Sequence, residues 1–333
     1  MFINNLEKVS VNHSEQWLLV RGNSDAPLIL QVQAGPGLQM ISEANSLQKR
    51  HHLEDDFLVA YWDQRGCGKS FTKSENPANM NLNQLADDVI TCTQYLIKKY
   101  KKGKANIIGY SIGASLSLFA AQKIPALFDN IFVVGLDIDV PTANNLMIEF
   151  LWKHAKKRNN GKWSKPVSAL KGIQINDAKS FQKRAKLLSK AGGIISGKSY
   201  NDIFLSTIRN MLFTREYKWV DILSAIRGME FCQNTVLTEF NNLNLFERIG
   251  AITVPVHFIQ GIKDAVAPHE IAVRYFQYLK CSSKSFTEFE HSAHMPHLEE
   301  PDKFANIVRE KINGSNHAAS LVVSYKKSKP NES

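Results

Sequence analysis

The chain has 333 residues, of which 44% are hydrophobic and 22% are charged, an ordinary composition for a globular protein. Its formal charge of +10, from 41 Lys and Arg against 31 Asp and Glu, raises the question of nucleic-acid or membrane-surface binding. No run approaches the roughly 20 apolar residues of a membrane span, and residues 1–8 lack the pattern of a signal peptide. The length suits one large α/β domain with an insertion, or two domains.

Most of the excess positive charge lies in the middle of the chain. Residues 136–250 contain 18 Lys and Arg against 10 Asp and Glu, a surplus of 8. These residues are spread along segments with helical spacing, as on a solvated helix face, and no RNP-like, zinc-binding or helix-turn-helix motif accompanies them. We therefore predict no nucleic-acid and no membrane partner.

Cysteine spacing bears on the compartment. The four cysteines are far apart and form no C-x-x-C pair: Cys67, Cys92, Cys232 and Cys281. We expect them to be free thiols in a reducing environment, which favours a cytoplasmic location.

Taken in order, the first 135 residues alternate predicted strands with predicted helices. Residues 6–22 alternate apolar and polar side chains, which is typical of an antiparallel hairpin. Apolar strand runs follow at 27–33, 57–62, 107–108 and 131–134, with helical spacing at 83–99 and 114–121. This alternation predicts a mostly parallel sheet with right-handed crossovers.

The rhythm changes after Gly135. Residues 136–250 contain no comparable strand run, and strand character resumes at 254–259, followed by a helix at 268–279, a strand at 284–289 and a helix at 301–312. We predict a core formed by 1–135 and 251–312, a helical cap inserted at 136–250, and a flexible polar tail at 313–333.

The motif Gly109–Gly113 has the pattern Gly-x-Ser-x-Gly and lies between a predicted strand and a predicted helix. This context is required of a nucleophile elbow, in which a strained turn exposes the serine hydroxyl. Glycines at both ends are explained by steric clearance, and the helix directs its first amides at negative charge beside Ser111. Gly-x-Ser-x-Gly also occurs by chance in glycine-rich turns, so its setting carries the prediction.

An acyl-transfer serine needs an acid and a base, which follow it in the order Ser, Asp, His in this type of sheet. Asp264 follows the 254–259 strand in a Gly-x-x-Asp loop, although aspartate is also common in turns. Three histidines compete for the base: His291, His294 and His297. Spacing leaves the choice open and favours His294, whose loop is restrained by the following Met-Pro.

These residues resemble the α/β-hydrolase superfamily, and within it the proline iminopeptidase-like group. The similar segments are Ala34–Gly37, Asp63–Ser70, Gly109–Gly113, Gly261–Asp264 and Ser292–Pro301. The resemblance implies an α/β-hydrolase fold with Ser111 as nucleophile, Asp264 as orienting acid and His294 as base. It also implies an oxyanion hole formed by the amides of Gly35 and Ile112, with no metal and no cofactor.

The sequence also departs from that group. Gln33 and Ala34 stand where its members have His and Gly, Tyr110 and Ile112 flank the serine in place of Gly and Trp, and Ala293 replaces Gly.

The resemblance favours a small peptide or amide with a free N-terminus as substrate. Family members bind the substrate's ammonium with cap carboxylates, for which Glu230 and Glu239 are the candidates here. The alternatives are a carboxylesterase or other small-molecule hydrolase, and a non-catalytic ligand-binding relative.

Overall fold

The computed structural model describes residues 1–157, 163–170 and 175–327. A central sheet of eight strands runs through the core in the order β1-β2-β4-β3-β5-β6-β8-β10. Its strands are β1 Phe2–Val11, β2 Ser14–Asn23, β3 Leu28–Val32, β4 Leu58–Asp63, β5 Ala105–Tyr110, β6 Phe128–Val134, β8 Val256–Gly261 and β10 Lys284–Phe289. Two short strands, β7 Ala251–Ile252 and β9 Lys280–Cys281, pair separately.

The sheet is parallel apart from its first edge. β1 pairs antiparallel with β2, and β2 pairs antiparallel with β4, whereas every later pairing is parallel. The predicted hairpin and mostly parallel sheet are therefore confirmed. The strands from β3 to β6 are almost fully buried because helices cover both faces of the sheet, and this explains their continuous apolar runs.

Helices connect the strands and form the middle of the chain. Those in the first part are α1 Ala44–His51, α2 Leu82–Lys99 and α3 Ile112–Lys123. Between β6 and β7 lie α4 Val140–Lys157, α5 Ser164–Ser168, α6 Ala178–Lys190, α7 Tyr200–Leu212, α8 Trp219–Phe240 and α9 Leu245–Arg248. The last three are α10 His269–Tyr278, α11 Pro296–Glu299 and α12 Pro301–Lys327.

The final helix is longer than the sequence pattern predicts. We expected it to end near Ile312 and to give way to a flexible tail over 313–333, but α12 continues to Lys327. Residues 313–327 contain no proline, and each residue added to an existing helix gains a backbone hydrogen bond without a new nucleation cost. Residues 328–333 lie outside the described part of the chain.

Helix α8 packs on loops that follow strands of the sheet. Lys69 forms an ion pair with Asp221 at 2.8 Å, and the Sγ atoms of Cys67 and Cys232 lie 3.7 Å apart. A Cβ atom on Gly228 would lie 2.5 Å from a backbone oxygen of the loop after β4, so glycine permits the contact. All four cysteines are free thiols, as predicted.

Candidate active site

Ser111 stands at the turn between β5 and α3. Its backbone has φ +53° and ψ −124°, a strained conformation for a residue with a side chain. A Cβ on Gly109 would lie 2.6 Å from Ala114 Cα, and one on Gly113 would lie 2.2 Å from Gln33 O. The two glycines therefore let strand, serine and helix approach closely, as the motif predicts.

His294 and Asp264 are in contact at the ends of neighbouring strands. His294 Nδ1 lies 2.9 Å from Asp264 Oδ2, and both residues are buried. The other carboxylate oxygen of Asp264 accepts hydrogen bonds from the amides of Val266 and Ala267, each at 2.8 Å. Gln260 Nε2 donates to Oδ2 at 3.0 Å. The carboxylate is therefore fixed on both sides and directs one ring nitrogen of the histidine.

The other two histidines have different surroundings. His291 is exposed, while His297 is buried with its ring centroid 4.3 Å from that of Tyr110. Burial lowers the pKa of His297 well below its usual value, so it is neutral at physiological pH. Of the three histidines that the sequence leaves open, His294 is the one in contact with Asp264.

Ser111 and His294 line one cavity between the sheet and the helices that follow β6. Most of its wall is apolar, including Leu136, Ile138, Phe181, Leu188, Met229 and Val266. Gly35 also lines it, and Ile112 begins α3 directly after the serine. The first amides of a helix have no intrahelical acceptor, so the Ile112 N–H is available to an oxyanion.

A second carboxylate, which the sequence analysis missed, contacts the serine. Ser111 Oγ donates to Asp137 Oδ2 at 2.7 Å, and Ser111 as a whole residue is 7% exposed. Two hydrogen bonds hold the end of β6 against the start of α3. The backbone N–H of Ser111 donates to Val134 O, and the side-chain Oγ of Ser115 donates to the backbone carbonyl of Asp137. Asp137 follows the carboxyl end of β6, the edge where parallel sheets place ligand-binding residues. This position after a predicted strand is the feature of the sequence that could have indicated Asp137 as a site residue.

The charged groups in this cavity shift one another's pKa values. Burial raises the pKa of Asp137 to about 6, although the charge of His294 and the hydrogen bond from Ser111 act in the opposite direction. Burial alone would lower the pKa of His294, but the carboxylates of Asp264 and Asp137 outweigh it and the net pKa is raised. The pKa values of both residues are therefore higher than those of the same groups in water.

Glu230 and Glu239, which the sequence suggested as substrate carboxylates, do not line this cavity. Glu230 is exposed on α8. Glu239 Oε2 accepts a hydrogen bond from Leu82 N at 2.8 Å and therefore caps the first turn of α2. The direction in which each side chain of α8 points depends on how that helix packs on the rest of the protein. The sequence around Glu230 and Glu239 does not specify this packing.

Comparison with known proteins identifies the family. The model of the alpha/beta hydrolase fold matches residues 27–301. The probable aminopeptidase YbaC of Bacillus subtilis is 29% identical over 307 residues, covering 90% of this chain and 94% of that protein. The proline iminopeptidase of Heyndrickxia coagulans is 24% identical over 298 residues, covering 87% of this chain and 92% of that protein.

A solved structure agrees at the level of the fold. The proline iminopeptidase of Mycobacterium smegmatis superposes with a TM-score of 0.68 at 14% identity, over 95% of this chain and all of that one (100%).

Within the described ranges, no helix has the length and apolarity needed to cross a membrane. The resemblance to the proline iminopeptidase-like group is confirmed, and the chain belongs to the α/β-hydrolase family and is a hydrolase.

Proposed function

We propose that this hydrolase releases the N-terminal residue of short peptides or amides through an acyl-enzyme at Ser111. The observation that carries the proposal is the common cavity: an elbow serine and the His294–Asp264 pair line the same space. A nucleophile, a base and an acid that orients the base are the groups that acyl transfer requires. The names of the curated relatives agree with an aminopeptidase.

In the proposed reaction, Ser111 Oγ attacks the carbonyl carbon while His294 accepts the hydroxyl proton. The amides of Ile112 and Gly35 stabilise the oxyanion of the tetrahedral intermediate. His294 then gives its proton to the leaving amine as the amide C–N bond breaks. Water attacks the acyl-enzyme, with His294 again taking the proton, and the free carboxylic acid leaves Ser111. Asp264 holds the imidazole and stabilises its charged form throughout.

Asp137 is the proposed binding group for the substrate's ammonium, in place of Glu230 and Glu239. Its Oδ2 lies 2.7 Å from Ser111 Oγ in the buried cavity. In an aminoacyl substrate, the amine is attached to the carbon next to the reacting carbonyl. A carboxylate beside the nucleophile is therefore where a charge-assisted hydrogen bond can hold that amine.

The contact between Asp137 and Ser111 suggests how binding prepares the nucleophile. The Ser111 hydroxyl donates to Asp137, whereas attack requires it to donate to His294. An ammonium bound at Asp137 competes for the same carboxylate oxygens. Binding of an amine-bearing substrate therefore frees the hydroxyl to turn toward the base.

An esterase is the second candidate, and the apolar wall of the cavity favours it. Side chains such as Leu136, Phe181 and Leu188 suit an uncharged acyl chain. On that alternative, an amine on the substrate adds nothing to turnover, and Asp137 only positions the serine.

A labelling experiment tests the shared chemistry. The wild-type protein should react with a fluorophosphonate probe, and Ser111→Ala should not, because Ser111 is the one serine with a positive φ in the described part of the chain. His294→Ala should lose labelling as well, whereas His291→Ala should keep it. Persistent labelling of Ser111→Ala would overturn the assignment of the nucleophile.

Substrate comparison then separates the two candidates. Aminoacyl-arylamides are assayed with a free amine and with the amine acetylated, beside p-nitrophenyl acyl esters. The aminopeptidase proposal expects acetylation to reduce kcat/KM by at least tenfold, since a charge-assisted contact is lost. Equal turnover of free and acetylated forms would leave the esterase as the assignment.

A further inference from the structure

A buried arginine lies in the wall of the active-site cavity. Arg184, on α6, is 7% exposed and lines the cavity together with Ser111 and His294. Its Nη1 donates to Asn144 Oδ1 at 3.0 Å, and its guanidinium lies 4.9 Å from the centroid of the Phe181 ring. These contacts fix the position of the side chain without neutralising its charge.

Arginine almost never lies inside a protein without an acidic partner. Among the described residues, no carboxylate oxygen lies within 4.0 Å of the Arg184 nitrogens, and Asn144 is the acceptor of its recorded hydrogen bond. A guanidinium has five N–H donors in a planar fork that matches a carboxylate. The unused donors of Arg184 therefore offer a site for an anionic group of a ligand.

Asp137 supplies the opposite charge in the same cavity. It is not ion-paired with Arg184, because no pair of their charged atoms lies within 4.0 Å. The two charges are nevertheless close enough for Arg184 to lower the pKa of Asp137, and Arg184 also acts on His294. A negative and a positive group thus lie in one cavity, separated by more than direct contact, with the nucleophile beside the negative one.

We propose that Arg184 binds the C-terminal carboxylate of a dipeptide whose ammonium is held by Asp137. The inference rests on the proposed aminopeptidase activity and narrows its substrate to small zwitterions. The free amine places the first residue's carbonyl at Ser111, and the guanidinium fork takes the carboxylate of the leaving amino acid. In a longer peptide the C-terminal carboxylate lies farther from the scissile bond, and an arylamide has no such carboxylate. Neither substrate can therefore form the contact with Arg184.

The test compares alanyl-alanine with alanyl-alanine amide, which differ only in the terminal charge. The wild-type enzyme should have a kcat/KM at least tenfold higher for the free acid. Arg184→Gln should lose this preference, mainly through a higher KM for the free acid, with little change for the amide. Arg184→Lys should keep part of it because it retains the charge.

Lys183→Gln is the matched control, since Lys183 is exposed on the same helix and its removal changes the net charge equally. It should keep the wild-type preference. Equal turnover of acid and amide by the wild type would overturn the inference, as would an equal loss on both substrates in Arg184→Gln or the same loss of preference in Lys183→Gln.

A second measurement does not depend on peptide cleavage. N-acetylalanine carries the carboxylate without an amine, and it should slow fluorophosphonate labelling of Ser111 in the wild type but not in Arg184→Gln. N-acetylalanine amide should not slow it in either protein. Protection without dipeptide cleavage would refute the aminopeptidase proposal alone, and the absence of protection would refute the role of Arg184. If Arg184→Gln does not fold, the wild-type comparisons and Arg184→Lys decide.

Discussion

At the residue scale, the carboxylate of Asp137 accepts the hydroxyl of Ser111. In the proposed function it also binds the amine of the substrate. Asp137→Asn keeps a carbonyl oxygen of nearly the same shape, so Ser111 retains an acceptor, but the negative charge is gone. We expect the ratio of kcat/KM for an aminoacyl-arylamide to that for an uncharged ester to fall by about tenfold or more, the value of one charge-assisted hydrogen bond.

Asp139→Asn is a suitable control for that experiment. Asp139 also lines the cavity, but its carboxylate accepts hydrogen bonds from the backbone and hydroxyl of Thr142 at 3.1 and 2.6 Å. Its substitution should leave the ratio near the wild-type value. If both variants change the ratio equally, the preference for amine substrates comes from the total negative charge of the cavity and not from Asp137 in particular.

The pH dependence should differ between substrate classes. His294 must be neutral to act as a base, and its pKa is raised, so ester hydrolysis should rise with pH through one midpoint above 6.5. For an amine substrate, Asp137 must also be ionised, and its pKa is about 6. As pH falls through 6, Asp137 becomes protonated in addition to His294, so activity on amines should fall more steeply than activity on esters.

Log kcat/KM measured from pH 5 to 8 distinguishes these cases. The acid limb should approach a slope of about one for esters and about two for amines, reflecting one and two protonations. Asp137→Asn should reduce the slope for amines to about one. Parallel limbs for both substrates in the wild type would argue against a second titrating group.

At the scale of secondary-structure elements, Glu239 joins α8 to the start of α2. Its carboxylate accepts from Leu82 N at 2.8 Å and lies 3.9 Å from Arg248. Glu239→Ala should lower the free energy of unfolding by about 0.5–2 kcal/mol, as for other lost helix caps, whereas Glu239→Gln retains an acceptor and should lose less. Urea unfolding measures this difference.

The same variants separate a structural from a substrate-binding role for this glutamate. At temperatures where the protein stays folded, Glu239→Gln should leave kcat/KM for both amine and ester substrates near the wild-type value. Glu230→Gln should do likewise, because Glu230 is exposed. A selective loss on amine substrates in either variant would restore these residues as candidates for the ammonium site.

The pattern of apolar residues and glycines along the chain predicts those secondary-structure elements that short stretches of sequence determine. The buried strands, the hairpin and the turn at Ser111 follow from apolar runs and two glycines whose clearance the structure bears out. The cap carboxylates were chosen by charge and segment alone, whereas contact with the cavity depends on how α8 packs. Asp137 also follows a strand end, one of the features on which the prediction of Asp264 rests. The change of pattern after Gly135 nevertheless indicates only the start of an insertion, so the sequence alone does not single out Asp137.

At the scale of the whole molecule, thiol accessibility reports on the integrity of the packing. Cys67, Cys92 and Cys232 are buried in the core, and Cys281 is partly exposed. Burial also raises the pKa of Cys92 well above its usual value, which further lowers its reactivity. In the native protein we expect at most one thiol to react rapidly with Ellman's reagent, and all four after denaturation in guanidinium. Two or more fast thiols would contradict the burial of Cys67, Cys92 and Cys232.

The contacts of α8 have a consequence for attempts to exchange parts between relatives. Lys69 with Asp221, Cys67 with Cys232, and Leu82 with Glu239 each join one side chain of α8 to a segment that precedes the nucleophile. Residues 136–250 are therefore not a detachable module. A chimaera that takes this segment from another hydrolase would break the partly buried Lys69–Asp221 pair and remove the carboxylate that accepts from Leu82 N. Transplanting specificity into this scaffold requires moving residues 63–82 together with the inserted helices.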